Sequence, residues 1–271
     1  MDAILDFVGH QTDLSRYVLL GTLLMMRAIP VTFLTPFLGG KLVPPETRVA
    51  LALGMTVLSF QYAESYMAGP LTPNPLVYIV LMFKELFIGF VIGFLAVKIF
   101  YAMEYGGRML DTLRGSNMAE AQVPELGFRA SPMGDFLFHL LLVVYMGIDG
   151  HVYFIESVVE SFRVVPVDAF PGFAGSFEAW ITQFLHYSSA LFGIAFALTF
   201  PGMFASFMTD IVFGMLNRVA PQLNAYSLAM GVKALAGIAF FFFSMSLLVK
   251  QLGVHSRNTV MFLQRIIDLL G

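Results

Sequence analysis

From residue 217 to 233 the chain reads Asn217-Arg218-Val219-Ala220-Pro221-Gln222-Leu223-Asn224-Ala225-Tyr226-Ser227-Leu228-Ala229-Met230-Gly231-Val232-Lys233. This run separates two of the most apolar stretches of the sequence, 184–216 and 234–249. Asn217, Arg218, Gln222, Asn224, Tyr226, Ser227 and Lys233 make it densely polar. Pro221 has no N–H to give a helix interior, so the chain is expected to break near it. A polar, proline-broken turn between two apolar helices predicts the tip of a helical hairpin.

Working outward, composition sets the class. Hydrophobic residues make up 58% of 271 positions and charged residues 12%, with a mean hydropathy of +0.79. A soluble domain is nearer half apolar and a quarter charged, so this is a membrane or membrane-assembled protein. The 29 Phe and 17 Met supply large, adaptable packing groups, and with no Cys there is no disulfide, thiolate or cysteine metal site. A formal charge of −3 argues against a nucleic-acid partner. The acidic start, with Asp2 and Asp6, is unlike a basic signal peptide, and no cleaved leader is expected.

Taken in order, 1–16 suggests a short amphipathic helix, and 17–38 is an apolar run interrupted by Arg27, Pro30 and Pro36. A loop at 39–48 precedes a shorter run, 49–60. Residues 76–100 are long enough to span a bilayer but carry Lys84, Glu85 and Lys98. Residues 101–135 form the longest polar region. The run 136–159 is broken at Gly147-Ile-Asp149-Gly150-His151, and 160–178 is a second polar connection. The run 184–200 meets Pro201-Gly202 and continues to 216 with Asp210 inside it. In the tail, 250–271, Val260, Leu263, Ile267 and Leu270 fall at helical spacing. The fold class is all-α, with about six to eight helical segments, broken helices and hairpins. The expected parts are 1–175, a C-terminal hairpin over 176–250, and an amphipathic tail over 251–271.

Spanning helices need roughly 20 apolar residues. The short runs, charges and Pro-Gly breaks suggest helices packed into a larger assembly, since irregular backbone at membrane depth needs protein or a cavity around it. For six helical elements, the loops at 39–48, 101–135 and 217–233 hold Lys41, Arg48, Arg108, Arg114, Arg129, Arg218 and Lys233. The other side, with the tail left out, has only Arg16 and Arg163, which places the opening motif on the cytoplasmic side. Lys250, Arg257 and Arg265 in the tail then fall on the wrong side, unless Pro201-Gly202 divides its element into a re-entrant pair.

Arg27, Lys84, Glu85, Lys98, Asp149 and Asp210 are the charges at apolar depth, where an unpaired charge is costly. Lys84 and Glu85 point about 100° apart on a helix and are not expected to pair with each other. Each then needs a partner on another helix or subunit. Either these groups line a polar seam or interface, or their helix is not at bilayer depth. Asp149, beside Gly150 and His151, is expected to cap a helix end rather than act as a proton relay.

No phosphate-binding Gly-rich loop, His-Glu-x-x-His or Gly-x-Ser-x-Gly occurs, and the five His lack metal-ligand spacing, so neither an enzyme nor a metal or cofactor site is expected. Between 105 and 134, Gly106, Gly107 and Gly115 offer backbone freedom, and Pro124 and Pro132 are expected to stop helices. Small and Met residues gather here (Gly115, Ser116, Met118, Ala119, Ala121), which suits either a deformable gate or an ordinary cytoplasmic loop.

Two stretches carry a family resemblance. Arg218-Val-Ala-Pro221-Gln222-Leu-Asn224, followed by Ser227-Leu228 and Lys233, resembles the signature of the FliR/SctT (YscT/SpaR) family, core proteins of the type III secretion export apparatus in flagella and injectisomes. Lys84-Glu85-Leu86, with Ile88-Gly89 and Ile92-Gly93-Phe94, is similar to that family's central helix. Asp111-Thr-Leu-Arg114-Gly115 and Ser131-Pro-Met-Gly134 look more like the injectisome branch than the flagellar one, and Ala225-Tyr226 and Ala229-Met230-Gly231 depart from common flagellar forms.

The resemblance implies a non-enzymatic subunit of an export-gate ring in the bacterial inner membrane, lifted towards the periplasmic side. Its expected partners are SctR/FliP-like and SctS/FliQ-like siblings, an SctU/FlhB-like switch autoprotease, the inner rod and needle or flagellar rod base, and unfolded exported proteins. Transport would draw on the proton motive force and a separate ATPase. The family's plug loop falls at roughly 107–125, which makes Gly107, Asp111, Arg114, Gly115, Ser116, Met118 and Pro124 the expected plug residues. Arg218, Pro221, Gln222, Asn224 and Lys233 form the expected assembly motif. The alternatives are a flagellar export subunit, or a stand-alone secondary transporter using Glu85, Asp149 and Asp210 as ion-coupling carboxylates.

Overall fold

A computed structural model describes residues 2–39, 43–67, 69, 71, 74–115, 131–172, 177–222 and 225–270, with the side chains of 2–14, 225–227, 240 and 244 outside that description. Among the described residues there are seven helices and no strand: α1 (Asp2–Leu34), α2 (Pro45–Ser65), α3 (Pro75–Arg114), α4 (Pro132–Gly147), α5 (Gly150–Val164), α6 (Phe177–Val219) and α7 (Ala225–Asp268). The all-α expectation holds. The helices are longer than the apolar runs suggested. α7 has 44 residues but bends by 59° between Phe243 and Met245. α3 and α6 have 40 and 43 residues, about 60–65 Å each at 1.5 Å per residue. That is about twice a bilayer's hydrocarbon core. Among the described residues three stretches are apolar and long enough to cross a membrane, Ser15–Leu34, Pro75–Arg114 and Phe177–Val219, and up to five spans result if each bent helix pair is one span.

Three sequence expectations are corrected here. The segment 1–16 is not a separate helix but the first half of α1. Gly106-Gly107 does not loosen the chain, because α3 runs through it to Arg114. Pro201-Gly202 does not divide its element, since α6 is continuous with Pro201 inside it, so the re-entrant pair is not found. At the two glycine-containing steps, packing overrides a local breaker: Gly106 and Gly107 touch α6 and α4, and Gly202 receives Leu110. Pro132 also starts a helix instead of stopping one. It occupies the first turn of α4, behind Ser131, whose Oγ accepts the Gly134 N–H at 3.1 Å. The predicted break at Pro221 is present, between the end of α6 and the start of α7.

The chain forms two compact units. The first comprises Met1–Val97, Asp149–Leu185 and Asn258–Gly271. Leu20, Leu23, Leu24, Arg27, Ala28 and Val31 of α1 are buried at helical spacing. Leu20, Leu23 and Leu24 pack with Ala63 of α2, Leu81 of α3, Phe162 of α5 and Val167. Val260, Leu263, Ile267 and Leu270 are buried together, as their spacing predicted. α1 and α3 cross at a pair of glycines four residues apart. A Cβ at Gly89 would lie 2.2 Å from the Arg27 carbonyl oxygen, and one at Gly93 would lie 3.1 Å from that of Pro30. Small residues at this spacing let two helix backbones touch.

The second unit comprises Lys98–Ile148 and His186–Arg257. The end of α3 uses small residues in the same way, on several sides. A Cβ at Gly107 would meet Gly134 N and the Met133 carbonyl oxygen, both at 2.5 Å, so α3 and the start of α4 are in backbone contact. Gly106 faces Thr199 and the Ala195 carbonyl oxygen of α6, and Gly202 receives Leu110.

These contacts give a direct test. Gly89→Ala gains helix propensity of up to about 1 kcal/mol but forces two backbones apart, for a net loss of roughly 1–3 kcal/mol. Gly54→Ala in α2, where a Cβ meets nothing within 4 Å, is neutral or stabilising. Thermal unfolding of the two purified variants in detergent checks this, and equal midpoints would refute the close crossing.

Candidate functional site

The most concentrated chemistry lies in the first unit, around Arg27, Lys84 and Glu85. Arg27 and Glu85 have fully buried side chains, and that of Lys84 is 4% exposed. Arg27 grips Glu85 with two parallel bonds, Nε to Oε2 at 2.5 Å and Nη2 to Oε1 at 2.9 Å. Nη1 donates to Ser161 Oγ at 2.9 Å, and Nη2 also donates to the Val165 carbonyl at 3.0 Å. The guanidinium carbon lies 4.0 Å from the Phe162 ring centroid, a cation–π contact. Planar, bidentate pairing is what a guanidinium does and an ammonium cannot.

Lys84 and Glu85 do pair, against expectation, with Nζ 2.7 Å from Oε1. Their Cβ atoms diverge, but the lysine stem is long enough to swing back. Its three donors are drawn to the carbonyls of Pro166, Val167 and Ala169, at 2.9, 2.8 and 2.9 Å. Two cations and one carboxylate leave an excess positive charge. The carbonyl dipoles of Val165, Pro166, Val167 and Ala169 face it, and the Asp168 carboxylate in the same loop adds a favourable charge near Lys84, which together make the burial tolerable. The loop after α5 is thereby tied to α1 and α3. It is also held from its far side, where Asp168 Oδ2 accepts the Gly69 N–H at 3.1 Å. Ser161, Phe162 and these carbonyls had no signal in the sequence, since a carbonyl ligand can belong to any residue type.

The second unit holds the described part of the expected plug region. Asp111 is 3% exposed and joins the end of α3 to the start of α4. Its Oδ2 accepts from Ser131 Oγ at 2.8 Å and from the Met133 N–H at 2.9 Å, and its Oδ1 lies 3.3 Å from Arg114 Nη1. α3 ends at Arg114, and Gly115 turns away with φ +81, a conformation that favours glycine. Gly107 is the backbone contact with Gly134 described above. Ser116, Met118 and Pro124 lie outside the described residues.

The remaining expected charges are dispersed. Lys98 is half-buried and donates to Ser188 Oγ. Asp149 is exposed, not buried, and takes a left-handed φ of 58 at the break before α5. Its side chain caps nothing; its carbonyl oxygen accepts from Val152 and Tyr153 instead. Asp210 is exposed too, and Lys233 Nζ meets its Oδ2 at 2.6 Å, linking α6 to α7. An exposed pair of this kind contributes at most about 1 kcal/mol. Arg218, Pro221 and Gln222 are exposed at the hairpin tip, and Asn224 lies outside the described residues. Within the first unit Glu85 is buried while Asp149 is exposed, and Asp210 belongs to the second unit.

Glu85→Gln leaves two buried cations without their counter-charge and is expected to cost about 3–5 kcal/mol, whereas Arg27→Met with Glu85→Leu and Lys84→Met together cost much less, because no lone charge remains. Detergent unfolding of the single and triple variants measures both. A triple variant as unstable as Glu85→Gln would overturn the account. Lys233→Ala is expected to cost no more than about 1 kcal/mol by the same measurement.

The family model for bacterial export proteins, family 1, matches residues 18–259. The chain is 26% identical over 229 residues to the flagellar biosynthetic protein FliR of Bacillus subtilis, covering 83% of this chain and 86% of that protein. It is 30% identical over 166 residues to the Yop proteins translocation protein T of Yersinia pestis, covering 61% and 63%. It is 26% identical over 216 residues to the surface presentation of antigens protein SpaR of Shigella flexneri, covering 80% and 81%. The match takes in both the buried charge cluster and the hairpin-tip motif. With most of its length covered, the chain belongs to the FliR/SctT family of bacterial export apparatus proteins.

Proposed function

We propose that this protein is a core subunit of a type III secretion export gate of the injectisome kind, forming part of the channel through which unfolded proteins leave the bacterial inner membrane. The observation that carries this is the family match across residues 18–259. The physical character of the chain supports it. Helices of twice bilayer length, with a sealed charge cluster in the first third of one, suit a protein held in an assembly that rises to the periplasmic side. Large apolar groups are left open, among them Phe192, Phe196, Phe200, Phe204 and Phe207 along α6 and Phe242 and Phe243 on α7. Contiguous apolar surface of this kind calls for lipid or neighbouring subunits.

In this reading the partners are the two smaller sibling subunits (SctR/FliP-like and SctS/FliQ-like), the switch autoprotease (SctU/FlhB-like) and the rod base. The region 107–125, whose first part to Arg114 is the end of α3 and not a loop, seals the channel, and what supports that role is Asp111, which ties Ser131 and Met133 at the start of α4 to Arg114 at the end of α3. The hairpin tip at Arg218, Pro221 and Gln222 docks a partner, consistent with its exposure. The hairpin over 176–250 and the tail over 251–271 serve as assembly parts.

Deleting 115–123 should raise ion and small-solute leakage through the assembled complex, and an unchanged leak would remove the plug role. Arg218→Ala and Gln222→Ala should lower recovery of partner subunits and secretion, and wild-type secretion in both would remove the docking role. Co-purification of the intact chain with its candidate siblings tests the whole reading. A chain that recovers none, yet moves a solute when reconstituted alone, would be a transporter.

A further inference from the structure

An open groove of about 670 Å³ lies in the second unit, between the end of α3 and the middle of α6. Tyr105, Met109 and Leu113 form its α3 wall, and the α6 wall runs from Phe192 through Phe196, Phe200 and Phe204 to Phe207. All of these side chains are exposed. The two helices run in the same direction here, since Gly106 of α3 faces Ala195 and Thr199, and Leu110 faces Gly202. Tyr105 is therefore level with Phe192 and Phe196, and Leu113 with Phe204 and Phe207. Arg108 is the charged residue of the lining. Its guanidinium reaches back along α3 to Glu104, with its carbon 5.7 Å from the Tyr105 ring centroid, so the positive head stands at the Phe192 end. That side chain is 47% exposed, and among the described residues only Nη2 is engaged, by Glu104 Oε1. Donors on Nε and Nη1 are left for a ligand.

A cationic end joined to a long apolar run is complementary to a phospholipid. A partner helix fits less well. From Phe192 to Phe207 α6 rises about 22 Å at 1.5 Å per residue, so the volume of about 670 Å³ is a trough about 30 Å² in section. A helix with its side chains is about 10–12 Å across, roughly three times that section, and would bridge the trough without filling it. An extended acyl chain lies within it. Both walls also belong to helices apolar and long enough to cross a membrane. From Phe196, level with the Arg108 head, to Arg218 at the hairpin tip is about 33 Å along α6, close to the ~30 Å hydrocarbon thickness of a bilayer. Asp210 is the charged residue between them, and Lys233 neutralises it. Arg108 and Arg218 then stand at the two headgroup levels. Glu104 offsets part of the Arg108 charge, which suits a singly charged phosphodiester better than a phosphomonoester with nearly two charges.

We propose that this groove is a phospholipid site, in which one acyl chain lies along the phenylalanines of α6 and the phosphodiester accepts hydrogen bonds from Arg108. The proposal rests on α3 and α6 crossing the membrane and does not depend on the export-gate reading. It assigns the α3–α6 face of the second unit to a held lipid. Phe242 and Phe243 of α7 are also exposed but do not line the groove, and they serve as its control.

The test uses the full chain in its bacterial membrane, with the rest of its assembly present. The photo-crosslinking residue p-benzoylphenylalanine takes the place of Phe200, of Phe204 or, as control, of Phe243. After illumination and purification, intact-mass spectrometry reads each adduct. At Phe200 and Phe204 an adduct of phospholipid mass is expected, and Arg108→Gln should lower its yield by roughly threefold to tenfold relative to the Phe243 adduct. Arg108→Lys keeps the charge and should retain most of the yield. The ratio to Phe243 decides even where Arg108→Gln weakens folding, because misfolding lowers both adducts and loss of the site lowers only one. A polypeptide adduct at Phe200 and Phe204 would make the groove a seat for another chain and overturn the proposal. So would the absence of a lipid adduct there, or a lipid adduct indifferent to Arg108→Gln, which is bulk lipid only.

Discussion

The bidentate pair of Arg27 with Glu85, sealed from solvent and joined by Lys84, is the constraint that the first unit depends on. Removing such charges from water is expensive, and the cost is met only when every donor and acceptor finds a partner. That requirement fixes several elements at once. α1 must bring Arg27 against α3, α5 must end so that Ser161 faces Nη1, and the 165–169 segment must turn four carbonyl oxygens inward. A short loop thus becomes a ligand for two cations, chiefly through its backbone carbonyl oxygens. Charges of this kind add specificity more readily than net stability, since a misplaced α5 would leave two cations unpaired.

The close helix crossings make this geometry possible. Gly89 lets α3 rest on the Arg27 backbone, and that contact puts the Arg27 side chain within reach of Glu85, four residues before the glycine. The second unit repeats the device with different partners. Gly107 touches Gly134, Gly202 receives Leu110, and Gly237 makes room for Arg114. Glycines that propensity alone would count as helix breakers are tolerated because each permits a contact worth more than the flexibility it costs. The same trade explains why α6 runs unbroken through Pro201-Gly202.

Asp111 and Ser131 hold the end of α3 to the start of α4, so the segment between them leaves and returns at a clamped base. The hairpin tip is the opposite case, exposed and polar, with Lys233 and Asp210 making only a surface tie between α6 and α7. A subunit with sealed nodes inside and open aromatic faces outside is built to be covered by other chains and lipid.

Much was legible in the residues themselves. Composition established a membrane-associated all-α chain. Pro221 marked the hairpin turn, Val260, Leu263, Ile267 and Leu270 marked a buried face, and the Arg218–Asn224 run pointed to the family. These are local or compositional properties, and neighbouring residues suffice to set them. Helix length was not legible, because a Gly-Gly or Pro-Gly step breaks an isolated helix yet survives when a neighbour packs against it. Nor was the fate of each charge. Lys84 and Glu85 pair because a distant loop draws both side chains to one place, whereas Asp149 and Asp210, placed in equally apolar runs, end up facing outward. Which partner a buried charge finds depends on groups up to 138 residues away in the chain, many of them backbone carbonyls that carry no sequence identity, and only the tertiary structure brings them together.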